Sequence, residues 1–122
     1  MSKSMYRDLV VWQKGRRLAS SVYRQTRQFP RDEMFGLTSQ MRRASISVIS
    51  NIAEGYGRRS IDDTVHFLVI ARGSLLELEA QTVVAIDLEY LSAASGEDLI
   101  EQALDTVRLL NGLIRHHERK RR

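Results

Sequence analysis

In the segment GLTSQMRRASISVISNIAEGYG, residues 36–57, apolar side chains recur with the spacing of a helix. Placed roughly 100° apart per residue, Met41, Ala44, Ile46, Val48, Ile49, Ile52 and Ala53 cover more than half of the circumference. Only Arg42 and Ser45 interrupt that arc. A surface helix needs an apolar stripe of about 100°, so this one is expected to meet apolar surface on two sides, as the central element of a bundle or an oligomer. Thr38 is positioned to cap its first turn, and Gly55 and Gly57 to end it with a left-handed residue.

The same periodicity predicts three further helices. The first spans 8–28, with Leu9, Trp12, Gly15, Ala19, Val22 and Tyr23 among its inward positions, and stops at Phe29–Pro30 because the residue before a proline is driven out of the helical region. Pro30 to Glu33 suits a short helical turn with acids at its positive end. After Gly55–Arg59, Ser60 and Asp63 resemble a capping box. The third helix then runs to about Tyr90, roughly 45 Å at 1.5 Å per residue, and again carries more than one apolar stripe. Residues 91–96 read as its last turn and a loop, and the fourth helix covers about 97–118. Four helices with short links predict one all-α domain over residues 1–122, an antiparallel up-down-up-down four-helix bundle.

Alternating directions have a consequence for charge. The start of the first helix, the end of the second, the start of the third and the end of the fourth share one pole, which gathers Lys3, Arg7, Arg58, Arg59, Arg115, Arg119, Lys120, Arg121 and Arg122. These outnumber the acids there, Asp8, Glu54, Asp62, Asp63 and Glu118, and form the positive field expected of a phosphate-backbone partner. Lys14, Arg17 and Arg24 on the outer face of the first helix extend it. The bland reading is that cations at helix C-termini favour the helix dipole and that residues 116–122 are a solvated tail. The overall charge of +4 conceals a split: residues 1–60 hold 12 Lys and Arg against 4 acids, and residues 61–114 hold 2 against 10. Such halves attract each other within one chain or between copies.

Composition narrows the setting. With no cysteine there is no disulfide framework. The first residues lack the apolar run of a signal peptide, and no apolar stretch approaches the length that crosses a bilayer. A cytoplasmic protein without membrane partners is expected.

Candidate chemistry is sparse. Arg42 falls in the apolar arc of the second helix, and Arg72 and Glu79, two turns apart, fall on the apolar face of the third. Buried charges must pair, so Arg42, Arg72 and Glu79 are expected to form a structural network within or between subunits, with Glu77 as substitute partner. Glu54 is expected near Arg43. The Glu-x-x-His pattern of di-iron bundles has one approximate match, Asp63 to His66, so no metal is expected. No phosphate-cradling glycine motif or hydrolase triad is present, and no cofactor is expected. The enzymatic alternative is a small anion clamped by Arg42, Arg43 or Arg72 at subunit junctions. Tyr6 and Tyr56, near the basic pole, are the better stacking platforms for bases, whereas Trp12 and Tyr23 read as core.

Three stretches, LVVWQKGRRLASSVY, FPRDEMFGLTSQMRRASISVISNIAEGYGR and FLVIARGSLLELEAQTVVAIDLEYL, together resemble a bacterial four-helix-bundle family. It comprises proteins encoded by intervening sequences in large-subunit ribosomal RNA genes, and includes the accessory variability protein of diversity-generating retroelements. Gly15 stands where the family pattern has an alanine soon after the tryptophan. The resemblance implies a homopentameric ring with a basic surface able to bind RNA or DNA, and no catalytic activity. In the retroelement branch it further implies a nucleic-acid-processing partner, a reverse transcriptase with its template RNA. A protein-interaction scaffold without a direct nucleic-acid role is the alternative.

Overall fold

The structure, a computed structural model, describes residues 5–121. Four helices make up the fold: α1 Val10–Thr26, α2 Leu37–Tyr56, α3 Ile61–Asp87 and α4 Ala93–Lys120. Short 3-10 turns at Met5–Asp8 and Arg31–Glu33 precede α1 and α2. The directions alternate as expected. At one pole the Tyr56 hydroxyl, ending α2, lies 2.8 Å from His117 Nε2 near the end of α4, and Arg121 reaches Asp62 at the start of α3. At the other pole Phe29, just after α1, packs on Tyr90, just after α3, with ring centroids 5.3 Å apart.

The core is aliphatic and runs the length of the bundle. Leu18 and Val22 of α1, Met41, Val48 and Ile52 of α2, Leu68, Leu75 and Leu78 of α3, and Leu99 and Leu110 of α4 are all at most 1% exposed. Removing that apolar surface from water is the main drive for assembly of the bundle. The broad apolar arc of α2 is explained by contact with both α1 and α3.

Helix ends differ from the sequence expectation in several places. Thr38 is buried and caps nothing; the Leu37 amide instead donates to Glu33 Oε1 at 3.0 Å. Gly57 closes α2 with φ −90°, so neither it nor Gly55 is left-handed. Gly55 is inside α2 because α3 comes close: a Cβ there would lie 3.1 Å from the Thr64 carbonyl oxygen and from Phe67 Cβ. Ser60 caps α3 as expected, accepting from the Asp63 amide at 3.0 Å. Helix α3 ends at Asp87, and Glu89 takes the left-handed conformation, φ 62°, that a glycine usually supplies. Helix α4 begins at Ala93, earlier than 97, because Ser92 accepts from the Ser95 amide. Helix α1 starts at Val10 because Met5–Asp8 forms its own turn, fastened by Tyr6 edge-on to Trp12 and by Trp12 Nε1 donating to the Ile49 carbonyl.

The expected Arg42, Arg72 and Glu79 network does not form within the chain. Arg42 donates to Thr26 Oγ1 at 2.9 Å and to the Tyr23 carbonyl, and lies over the Tyr23 ring. Arg72 donates to Asn111 Oδ1 at 2.8 Å. Glu79 is half-buried and pairs with neither, and Glu77 is exposed. Helical projection placed these residues on apolar faces, but all three are only partly buried, and a neutral acceptor on a neighbouring helix meets Arg42 and Arg72. Glu54 likewise pairs with Arg58, one turn away, and not with Arg43.

Candidate functional site

The basic pole assembles from Arg7 before α1, Arg58 and Arg59 between α2 and α3, and Arg115, Arg119, Lys120 and Arg121 at the end of α4. All seven are exposed. Two of them are already neutralised locally: Arg58 pairs with Glu54 at 2.7 Å, and Arg121 pairs with Asp62 at 2.8 Å. Arg58 also lies 4.9 Å from the centroid of Phe67. Lys3 and Arg122 lie outside the described residues.

From the basic pole to the far end of α1 the cations continue along that helix. Lys14, Arg17 and Arg24 face outward and form no ion pair among the described residues. Lys14 and Arg17 border a hollow of about 220 Å³ shared with Gln102, Asp105 and Thr106 of α4. Arg16 and Arg27, which the pole argument did not single out, belong to the same surface. They line a second hollow, about 470 Å³, between α1 and α2 together with Arg24, Tyr23 and Ile46. Their signal was present in the sequence: from Leu9 to Arg31 there are six cations and no acid. The carboxylate that borders them, Asp105, is held by Arg108, and none of these cations forms an ion pair among the described residues.

The aromatic groups are arranged differently from expectation. Tyr6 is used against Trp12. Tyr56 is spent on His117, whose ring packs edge-on to it. Tyr23 is 39% exposed, so it is not core, but Arg42 occupies one face of its ring. Burial pushes the Tyr56 hydroxyl above its ordinary pKa. Burial, then the neighbouring His116 and Lys120, hold His117 below its ordinary value. A neutral His117 is thus the form that meets Tyr56. At the opposite pole the Glu33 carboxyl is held low by the Leu37 amide and the Tyr90 hydroxyl, both of which favour its charged form.

Chemically, this surface offers guanidinium and ammonium groups for anions. Arg42 and Arg72, the clamps of the enzymatic alternative, already spend donors on Thr26 and Asn111. His66 packs against Phe67, and among the described residues no group of three His, Asp or Glu side chains converges as a metal site. No helix among them is long and apolar enough to cross a membrane.

The family model described as 23S rRNA-intervening sequence protein matches residues 7–112. The chain belongs to this family. A solved crystal structure from the S23 ribosomal protein family, a protein of unknown function from Bacteroides thetaiotaomicron, superposes with a TM-score of 0.80 at 23% identity. The match covers 87% of this chain and 96% of that one, and at this identity it speaks for the fold alone. No curated protein matches the chain. For this intervening-sequence family member, the match spans every element from the end of the first 3-10 turn through most of α4. Its cationic α1 and the carboxylate-free part of α2 both lie inside the matched region.

Proposed function

We propose that this protein is a non-enzymatic, self-associating accessory that binds the backbone of RNA or DNA, assembling as a ring and without reading bases. The observation that carries the proposal is the run of cations on α1, unbroken by any acid and free of ion pairs among the described residues, which continues into the basic pole through Arg7, Arg59, Arg115, Arg119 and Lys120. Unpaired arginine and lysine on one side of a small domain are the electrostatic footprint of a polyphosphate ligand. Assembly is supported by α3, whose outward face exposes Val69, Leu76 and Val83, more apolar surface than a solitary surface helix normally leaves in water. The pentameric stoichiometry comes from the family resemblance.

The test is binding of a labelled RNA and a labelled duplex DNA across a salt series. With about five phosphates neutralised, log K falls against log salt with a slope near roughly −4. No binding at low salt removes the proposal. The alternative, a protein-interaction scaffold, draws on one observation: in the loop before α2, Phe35 is 93% exposed and Met34 54% exposed. A pure chain that binds no nucleic acid at low salt, yet holds one protein partner through nuclease treatment and loses it on Phe35→Ala, favours the scaffold.

A further inference from the structure

The hollow between α1 and α4 has one cationic wall and one wall of acceptors. Lys14 and Arg17, a turn apart on one face of α1, line it from one side, and Gln102, Asp105 and Thr106, on one face of α4, line it from the other. Among the described residues neither cation pairs with Asp105, so the opposite charges stay apart across a space of about 220 Å³. Most of the α4 groups are engaged by their own helix. Gln102 donates to Asp98 Oδ2 at 2.8 Å, and the buried Thr106 hydroxyl donates to the Gln102 carbonyl. Arg108 takes Asp105 Oδ1 and lies 3.6 Å from Glu101. This leaves Asp105 Oδ2, a carboxylate oxygen with no hydrogen-bond partner among the described residues, on the wall opposite the two cations.

A phosphate alone suits Lys14 and Arg17 but is repelled by Asp105. A ligand that answers both walls carries an anionic group with a hydroxyl close by, the anion on the α1 side and the hydroxyl donating to the carboxylate. In a nucleic-acid strand that combination is the phosphate with the ribose 2′-OH, the group by which a protein tells RNA from DNA. We propose, building on the nucleic-acid reading above, that this hollow is a ribose-phosphate subsite. Lys14 and Arg17 hold the phosphate, Asp105 Oδ2 accepts the proton of the 2′-OH, and the surface thereby favours RNA over DNA. DNA leaves Asp105 beside a phosphate with nothing to donate to it, and a site that hydrogen-bonds a ligand hydroxyl rejects the analogue lacking it. The Asp105 side chain is 41% exposed, so water replaces part of the lost bond. The preference is therefore expected to be about tenfold, smaller than at a fully buried site.

The test compares oligouridine with oligodeoxyuridine of the same length, which differ only in the 2′-OH. Fluorescence anisotropy at one low salt concentration measures both for the unaltered chain, Asp105→Ala and Asp105→Asn, with melting curves as a check of folding. Both variants remove the negative charge and tighten RNA and DNA alike, so the readout is the ratio of the two affinities. The unaltered chain is expected to prefer RNA about tenfold, Asp105→Ala to bind both strands equally, and Asp105→Asn, which keeps an acceptor oxygen, to retain part of the preference. Gln40→Leu, exposed on α2, is expected to leave the ratio unchanged. Equal binding of the two strands by the unaltered chain, or a preference that survives Asp105→Ala, overturns the proposal and leaves the nucleic-acid reading in place. Binding of neither strand overturns that reading instead, and the chain is then titrated with uridine monophosphate and its 2′-deoxy form. Uptake of the ribose form alone, lost in Asp105→Ala, assigns the subsite to a free ribonucleotide; uptake of neither, or of both alike, overturns it as well.

Discussion

Replacing Arg7, Lys14 and Arg17 together by alanine is the most direct test of the cationic surface. Arg7 and Arg17 are exposed, Lys14 is half-buried, and none forms an ion pair among the described residues, so the triple variant strands no internal charge. Each phosphate neutralised contributes roughly 0.9 to the slope of log K against log salt on duplex DNA and about 0.7 on a single strand. Losing three contacts therefore flattens the duplex slope by roughly 2.7, and between about 50 and 200 mM salt the fall in affinity becomes about 40-fold smaller. Fluorescence anisotropy at four or more salt concentrations measures this directly. Arg108→Ala serves as the control: it removes a cation from an equally accessible place, but one already held by Asp105 and Glu101. Equal slopes for the triple variant and the unaltered chain would refute the assignment of these residues, and an equal loss from Arg108→Ala would reduce the effect to net charge.

The remaining predictions concern the fold that supports this surface. Gly55→Val drives a branched side chain toward the Thr64 carbonyl, only 3.1 Å from where its Cβ would stand; overpacking of this kind costs about 2 kcal/mol, to be read from the midpoint of urea unfolding, and an unchanged midpoint would contradict the close approach of α2 and α3. Because the folded chain holds His117 below its ordinary value of 6.5, the unfolded chain binds more protons as pH falls. Stability from this group is therefore complete above 6.5, declines as pH drops through the lowered folded pKa, and His117→Gln should flatten the melting temperature between about pH 7 and 5. Ser60→Ala removes the cap on the Asp63 amide and is expected to cost about 1 kcal/mol, visible as faster hydrogen exchange in the first turn of α3. Glu79→Ala, which breaks no bond in the chain, should stay within about 0.5 kcal/mol of the parent, whereas Arg42→Ala loses its bonds to Thr26 and Tyr23 and should cost about 1–2 kcal/mol; equal costs in thermal melts would revive the shared network.

The residue pattern by itself determined the four helices, their alternating course and the gathering of arginines at one pole, because burial periodicity and short links are local properties of the chain. Family membership was legible for the same reason: the stretches that carry it, such as GLTSQMRRASISVISNIAEGYG, are contiguous. Tertiary structure alone decided which charges are cancelled. Arg121 finds Asp62 across the bundle, while Lys14 and Arg17 form no ion pair among the described residues, and distances across helices are not encoded in spacing along one. It also decided the fate of Arg42 and Arg72, whose acceptors, Thr26 and Asn111, lie 16 and 39 residues away. Helix ends followed the same rule. Ser60 caps α3 from within three residues, as its sequence context indicates, but Glu33 caps α2 from a separate turn whose position Tyr90 helps to fix. A projection onto one helix ranks faces by apolarity; which helix covers each face, and which face stays bare, as the outward face of α3 with Val69, Leu76 and Val83 does, follows only once all four are packed.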